Sequence, residues 1–149
     1  MKYSKIRELL IEEHRGLRTL AAETRVAAQQ ILDGAVPTLE PLRARLAELE
    51  IALAAHNRHE DELLSDIILT IDAWGPQRES VMREDHLIEH SAILKSLERC
   101  ASLDDQLVAA QGANELVLRM LRHMDSEERE VLHPDILRDD VVAISGVSG

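Results

Sequence analysis

Phenylalanine is absent from the chain, and its 149 residues include only one tyrosine, one tryptophan and one cysteine. With Cys100 alone no internal disulfide can form, and a reducing compartment is the expectation. No stretch approaches the apolar length of a membrane span. Met1 to Glu13 carries charges throughout rather than the apolar segment of a secretory signal, so the expected setting is cytoplasmic, without membrane contact. Basic residues are few, 17 against 28 acidic ones, for a formal charge of -11. That balance argues against a nucleic-acid partner, because phosphates would be repelled. It is compatible with cation binding, although net charge by itself says no more than solubility. Strand signals are missing too: no alternation of apolar and polar residues is sustained.

What is present is helical periodicity. The first helix is expected from about Ser4 to Asp33, stopped by Gly34. Thr38 is a fair N-cap for a second helix, with Pro41 tolerated in its first turn. That helix is read to about Trp74, where Gly75-Pro76 breaks it. A third is read from Gln77 to Ser80 onward, with stop or cap signals at Ser102 to Asp105 and at Gly112. The last is read to about His133, before Pro134. Apolar residues recur at spacings of three and four: Ile6, Leu10, Leu17, Leu20 and Thr24; Leu42, Leu46, Leu49, Leu53, Leu63 and Ile67; Met82, Ile93, Leu97 and Cys100; Leu116, Met120 and Val131. Four such helices on short loops predict an all-α, antiparallel up-down-up-down bundle. Residues 1–138 form one domain in this reading, and 139–149 a flexible tail.

The seven histidines need an explanation. Each apolar stripe has a gap, and histidine or glutamate fills it. His14 falls between Leu10 and Leu17, and His56 and Glu60 between Leu53 and Leu63. His86 and His90 fall between Met82 and Ile93, and His123 and Glu127 between Met120 and Val131. Residues four apart on a helix differ by about 40° and one turn, so each pair aims into one space. The gaps also sit at one height. In antiparallel neighbours, level residues are equidistant from the connecting loop. The three midpoints fall near Val36, Ala73 and Gln106, at or close to the three expected connections.

One histidine on an apolar stripe is usually a hydrogen-bonded core residue. Five histidines and two carboxylates in one layer ask for more, since buried charges need pairing or a metal. A metal site is therefore expected over a purely hydrogen-bonded polar layer. Imidazole with carboxylate suits Fe, Zn, Mn or Cu. Seven ligands exceed a closed zinc site and suit two ions bridged by carboxylates. The four-glutamate pattern of ferritin-like proteins is absent.

The order His14, His56-x-x-x-Glu60, His86-x-x-x-His90, His123-x-x-x-Glu127 resembles the hemerythrin-like HHE cation-binding family. So do Glu13-His14-Arg15-Gly16-Leu17, His59-Glu60-Asp61-Glu62-Leu63-Leu64 and Leu132-His133-Pro134. The resemblance runs over about residues 5 to 135. It implies two Fe ions in an oxo- or hydroxo-bridged di-iron centre, one held by three histidines and the other by two. Glu60 and Glu127 would bridge them, leaving an open position for O2. Hemerythrins proper often place the last carboxylate one residue later, here Glu128. Helical geometry favours Glu127, because Glu128 lies about 140° from His123.

The function implied is binding of O2, or of peroxide or NO, for carriage, storage or sensing. Consumption of peroxide or NO as an enzyme is the alternative, as is a role in iron handling or regulation through a protein partner. The remaining conspicuous residues have plainer readings. His59 is read as exposed rather than a ligand, and His133 as a cap on free carbonyls of the last helix. Cys100 is read as a small core residue, Tyr3 as packing at the bundle end, and Trp74 as an end plug.

Overall fold

A computed structural model describes residues 2–68, 75–135, 137 and 139, without the side chains of 65–68 and 75–84. The expected end plug Trp74, the side chains of Ile67 and Met82, and all of the tail except Asp139 lie outside the described residues. Four helices account for nearly everything described: α1 Tyr3–Leu32, α2 Glu40–Ile68, α3 Gly75–Ala101 and α4 Gln106–Glu130. There is no strand among the described residues.

The helix ends follow local chemistry. Gly34 stops α1 with a φ of +74°, a left-handed conformation open to a residue without Cβ. The amide of Ala35 then donates to the carbonyl of Gln30 at 2.9 Å. Asp105 caps α4, its carboxylate accepting from the amide of Val108 at 3.0 Å. Two boundaries differ from the sequence reading. α3 starts at Gly75, with Pro76 in its first turn, where the missing amide leaves no helical bond unmade. Gly112 ends nothing: it lies inside α4, and a Cβ there would meet the Cys100 sulfur at 3.6 Å. That is an ordinary van der Waals distance, so the glycine sits in the helix without a steric demand for it.

α1 packs on α2 and α4, and α3 packs on the same two, which closes a ring of four helices. The direction of each helix is visible in the polar ties at the ends. At one end Arg43, early in α2, donates to the carbonyl of Leu103 at 2.9 Å. Gln106, opening α4, donates to the carbonyl of Pro37 at 2.6 Å. At the other end Arg7 in α1 donates to the carbonyl of Leu132 at 2.8 Å. Ser4 donates to the Asp139 carboxylate from both its amide and its hydroxyl, at 3.0 and 2.7 Å. So α2 and α4 begin where α1 and α3 end: an antiparallel up-down-up-down bundle.

The core consists of two apolar clusters. The larger contains Leu17, Ala21, Leu42, Leu46, Leu49, Leu53, Ile93, Leu97, Leu116 and Met120 among others. The smaller joins Ile6, Leu10 and Leu64 to Val131, Leu132 and Leu137, so the segment after α4 folds over the bundle end. Leu64, not Leu63, takes the buried position there, and Leu63 packs beside it. His14 lies on α1 one turn from Leu10 in the smaller cluster and about one turn from Leu17 in the larger. The polar layer is thus walled by aliphatic side chains on both sides, with no aromatic ring supplied by phenylalanine.

Candidate metal centre

Each helix contributes to the layer through the gap in its own apolar stripe. α1 supplies His14, α2 supplies His56 and Glu60, α3 supplies His86 and His90, and α4 supplies His123 and Glu127. The structure brings all seven sequence-predicted residues together. His14 and Glu60 are fully buried, and His56, His90 and Glu127 nearly so. His86 and His123 keep 13% and 15% side-chain exposure, so the α3–α4 side is the one nearest solvent.

The donors sort into two sets. His86, His90, His123 and Glu127 place one ligand atom each within 4.8 Å of one another, and so do His14, His56, Glu60 and Glu127. The carboxylates lie between the sets. Oε2 of Glu60 lies 2.9 Å from His56 Nε2 and 3.5 Å from His14 Nε2. Its Oε1 lies 2.5 Å from His86 Nε2 and 3.3 Å from His90 Nε2. Oε1 of Glu127 lies 2.9 Å from His14 Nε2. Its Oε2 lies 3.1 Å from His123 Nε2 and 3.6 Å from His90 Nε2. Each carboxylate therefore turns one oxygen to each group of histidines.

These short separations are not hydrogen bonds. Both oxygens of Glu60 and of Glu127 are buried without a hydrogen-bond partner, as are His86 Nε2, both ring nitrogens of His90, and His123 Nε2. Buried polar atoms in proteins are nearly always bonded, and here seven of these converge unbonded on one space, with His90 Nδ1 turned toward Asp61. Nitrogen and carboxylate oxygen of this kind are the donors that iron, zinc, manganese or copper take. The residues fit a pair of metal cations.

The electrostatics agree. Burial alone would push the His14 pKa down, but Glu127 and Glu60 outweigh it and raise it to about 10. For His90, burial opposes the same two carboxylates, which prevail and raise it to about 9. Burial would raise Glu60; instead its contacts with Glu127, then with His14, His56 and His86, hold it well below the carboxylate range. Glu127 is lowered as well, with burial and Glu60 opposing and His123 and His14 favouring the anion. The layer thus carries carboxylates that remain anionic and favours positive charge at the nitrogens beside them, as a proton or as a metal cation in its place.

Around the layer lies a second ring of contacts that the sequence reading missed. Glu13 accepts from His56 Nδ1 at 2.8 Å through Oε1 and from His59 Nδ1 through Oε2. His59 is therefore half-exposed and tied to a carboxylate rather than a member of the donor sets. Glu128 points away from the space between the carboxylates. It accepts from His14 Nδ1 at 3.2 Å and from Arg18 at 2.9 and 2.6 Å. Its pKa is lowered, first by Arg18 and further by His14. His133 does not cap α4 as expected. Its Nδ1 accepts from the amide of Asp135 at 3.1 Å, fixing the turn that follows the helix. Cys100 is buried in the larger cluster, as its place on the stripe suggests, with its thiol donating to the Ala109 carbonyl at 3.3 Å.

Among known families, residues 5–134 match the one described as "Hemerythrin HHE cation binding domain". No curated protein and no solved structure matches the chain.

Proposed function

The chain belongs to the hemerythrin HHE cation-binding domain family, and we propose that its buried layer holds two iron ions that bind O2, or a related small oxidant such as peroxide or NO, for carriage, storage or sensing. The observation behind this reading is the pair of four-donor sets that share Glu127, with unbonded nitrogen and oxygen atoms facing inward. His86, His90 and His123 would hold one ion and His14 and His56 the other, with Glu60 and Glu127 reaching both. The two-histidine ion would then be the one with room for an external ligand. Redox-active iron, when bound, supplies the electrons that binding an oxidant of this kind requires.

The chain's own residues set the conditions. The aliphatic walls shield His14 and Glu60 from water. The two anionic carboxylates, held ionised by the imidazoles around them, favour the higher charge of an oxidised pair. No described helix is long and apolar enough to cross a membrane, which is consistent with a small diffusible ligand and an aqueous setting. The test is spectroscopic. Iron-loaded protein, reduced and then cycled between argon and air, should change its visible spectrum reversibly. A spectrum unaffected by air would defeat the oxidant-binding reading.

One observation favours the second reading, turnover of peroxide or NO. A cleft of about 430 Å³ reaches His86, His123 and Glu127, with Asp85, Glu89, Arg119, Arg122 and Ser126 around it. A polar cleft of that kind admits water and charged products as well as gases. Catalytic loss of peroxide or NO beyond one equivalent per site would establish turnover, and purely stoichiometric reaction would exclude it.

A further inference from the structure

Both histidines of the two-histidine set are gripped from behind by carboxylates. Glu13, immediately before His14 on α1, accepts from the Nδ1 of His56 on the neighbouring helix at 2.8 Å. Its other oxygen is held by His59 Nδ1, one turn along α2 from His56. Glu128 does the same for His14 Nδ1 at 3.2 Å, and is itself held by Arg18. On the three-histidine side the described contacts differ. His90 Nδ1 lies 3.5 Å from Asp61 and makes no hydrogen bond. The two nitrogens of His86 face Glu60 and Glu127 themselves.

A hydrogen bond from Nδ1 to a carboxylate has two consequences for an imidazole. It keeps the proton on Nδ1, so the Nε2 lone pair is free to face a cation, and it makes that lone pair a stronger donor. His56 satisfies the geometry: its Nδ1 is bonded to Glu13, while its Nε2 lies 3.2 Å from His14 Nε2 and 2.9 Å from Glu60 Oε2, inside the layer.

We propose that Glu13 is a positioning residue for the metal subsite of His14, His56 and Glu60, holding His56 through Oε1 while His59 anchors its own Oε2. This inference rests on the two-ion reading above. Glu13 touches no space between the donor sets, so it acts through His56 and not as a ligand. His59 also acquires a role: it stops the half-buried Glu13 side chain from swinging out to solvent. The two subsites are consequently unequal, and loss of Glu13 weakens only one of them.

The test is stepwise titration of the chelator-treated full-length protein with Co(II), against a competing chelator, read by the visible Co(II) spectrum. Wild-type protein should take up two ions. Glu13→Ala should weaken one of them by about 10- to 100-fold, the range for lost partners of this kind. The other should stay within about threefold. Glu13→Gln, which retains a neutral acceptor, should fall between. His59→Ala should weaken the same ion by less than Glu13→Ala does, and it leaves His56 and its carboxylate partner in place should Glu13→Ala fail to fold. Two ions bound with wild-type affinity in both Glu13→Ala and His59→Ala would overturn the proposal and leave the two-ion reading intact. Equal weakening of both ions would also overturn it, by making Glu13 a general support of the bundle. Fewer than two ions in wild-type protein would instead overturn the two-ion reading.

Discussion

Nε2 of His14 on α1 lies 2.9 Å from Oε1 of Glu127 on α4, and the other oxygen of that carboxylate faces His123, one turn earlier on its own helix. Glu127 is therefore shared between the two donor sets, whereas Glu128, its neighbour in sequence, bonds to the back of His14 and to Arg18. Glu127→Ala should lower the metal content at saturation from roughly two ions per chain to one or fewer, since it removes a donor from both sets. Glu128→Ala should retain both ions at saturating metal while binding the ion of the His14 and His56 set less tightly. Metal analysis after desalting into a weak chelator separates these outcomes.

Protons compete with metal for the same nitrogens. His14 and His90 are raised to about 10 and about 9 in the folded protein, above the unfolded value of about 6.5. Their contribution to stability is thus complete below about pH 6.5 and is lost as pH rises through the folded values. Glu60 and Glu127 have the opposite sign. Their lowered pKa values stabilise the fold above about pH 4.5, and that contribution is lost as pH falls through them. Protein stripped of metal should melt at a lower temperature at pH 10 than at pH 6. Metal binding at pH 7 should release protons, seen as a dependence of the calorimetric heat on buffer ionisation. Affinity should rise from pH 6 to pH 9.

Metal removal should destabilise the bundle, because the unfolded chain offers no preformed layer. A site occupied at a hundredfold excess over Kd contributes about 2.7 kcal/mol. For a chain of this size that is roughly 5–10 °C in Tm. Chelator treatment followed by thermal denaturation checks it, and equal melting temperatures with and without iron would speak against a structural coupling of metal and fold.

The apolar scaffold should respond separately from the site. Leu46 is buried in the larger cluster, ten residues and about 15 Å along α2 from His56. Leu46→Ala should lower stability by about 2–5 kcal/mol by leaving a cavity. It should leave the metal stoichiometry unchanged. Denaturant unfolding paired with metal analysis tests both halves of that statement.

Much of this was legible in the sequence because bundle geometry is periodic. Gaps on a stripe of Leu10 and Leu17, or of Met120 and Val131, can be counted, and equal distance from a loop places residues at one height. The direct donors obey that periodicity. Their supports do not: Glu13 and Glu128 each adjoin a donor in sequence, as an ordinary solvent-facing glutamate would. Only the crossing of α1 with α2 and α4 shows which imidazole each one meets. The same limit applies to dividing the histidines, since spacing tells which residues share a layer but not which share an ion. Gly112 misled for a related reason. It continues α4 at an ordinary contact distance from Cys100 on another helix, and nothing local distinguishes it from a helix stop.

The central claim is that one buried layer holds a pair of metal ions, and the most direct measurement is the metal-to-chain ratio of protein purified and reconstituted with ferrous iron under argon. About two irons per chain, retained through desalting and reduced by Glu127→Ala, is the result this account predicts. A ratio near zero or one in the wild-type protein would contradict it.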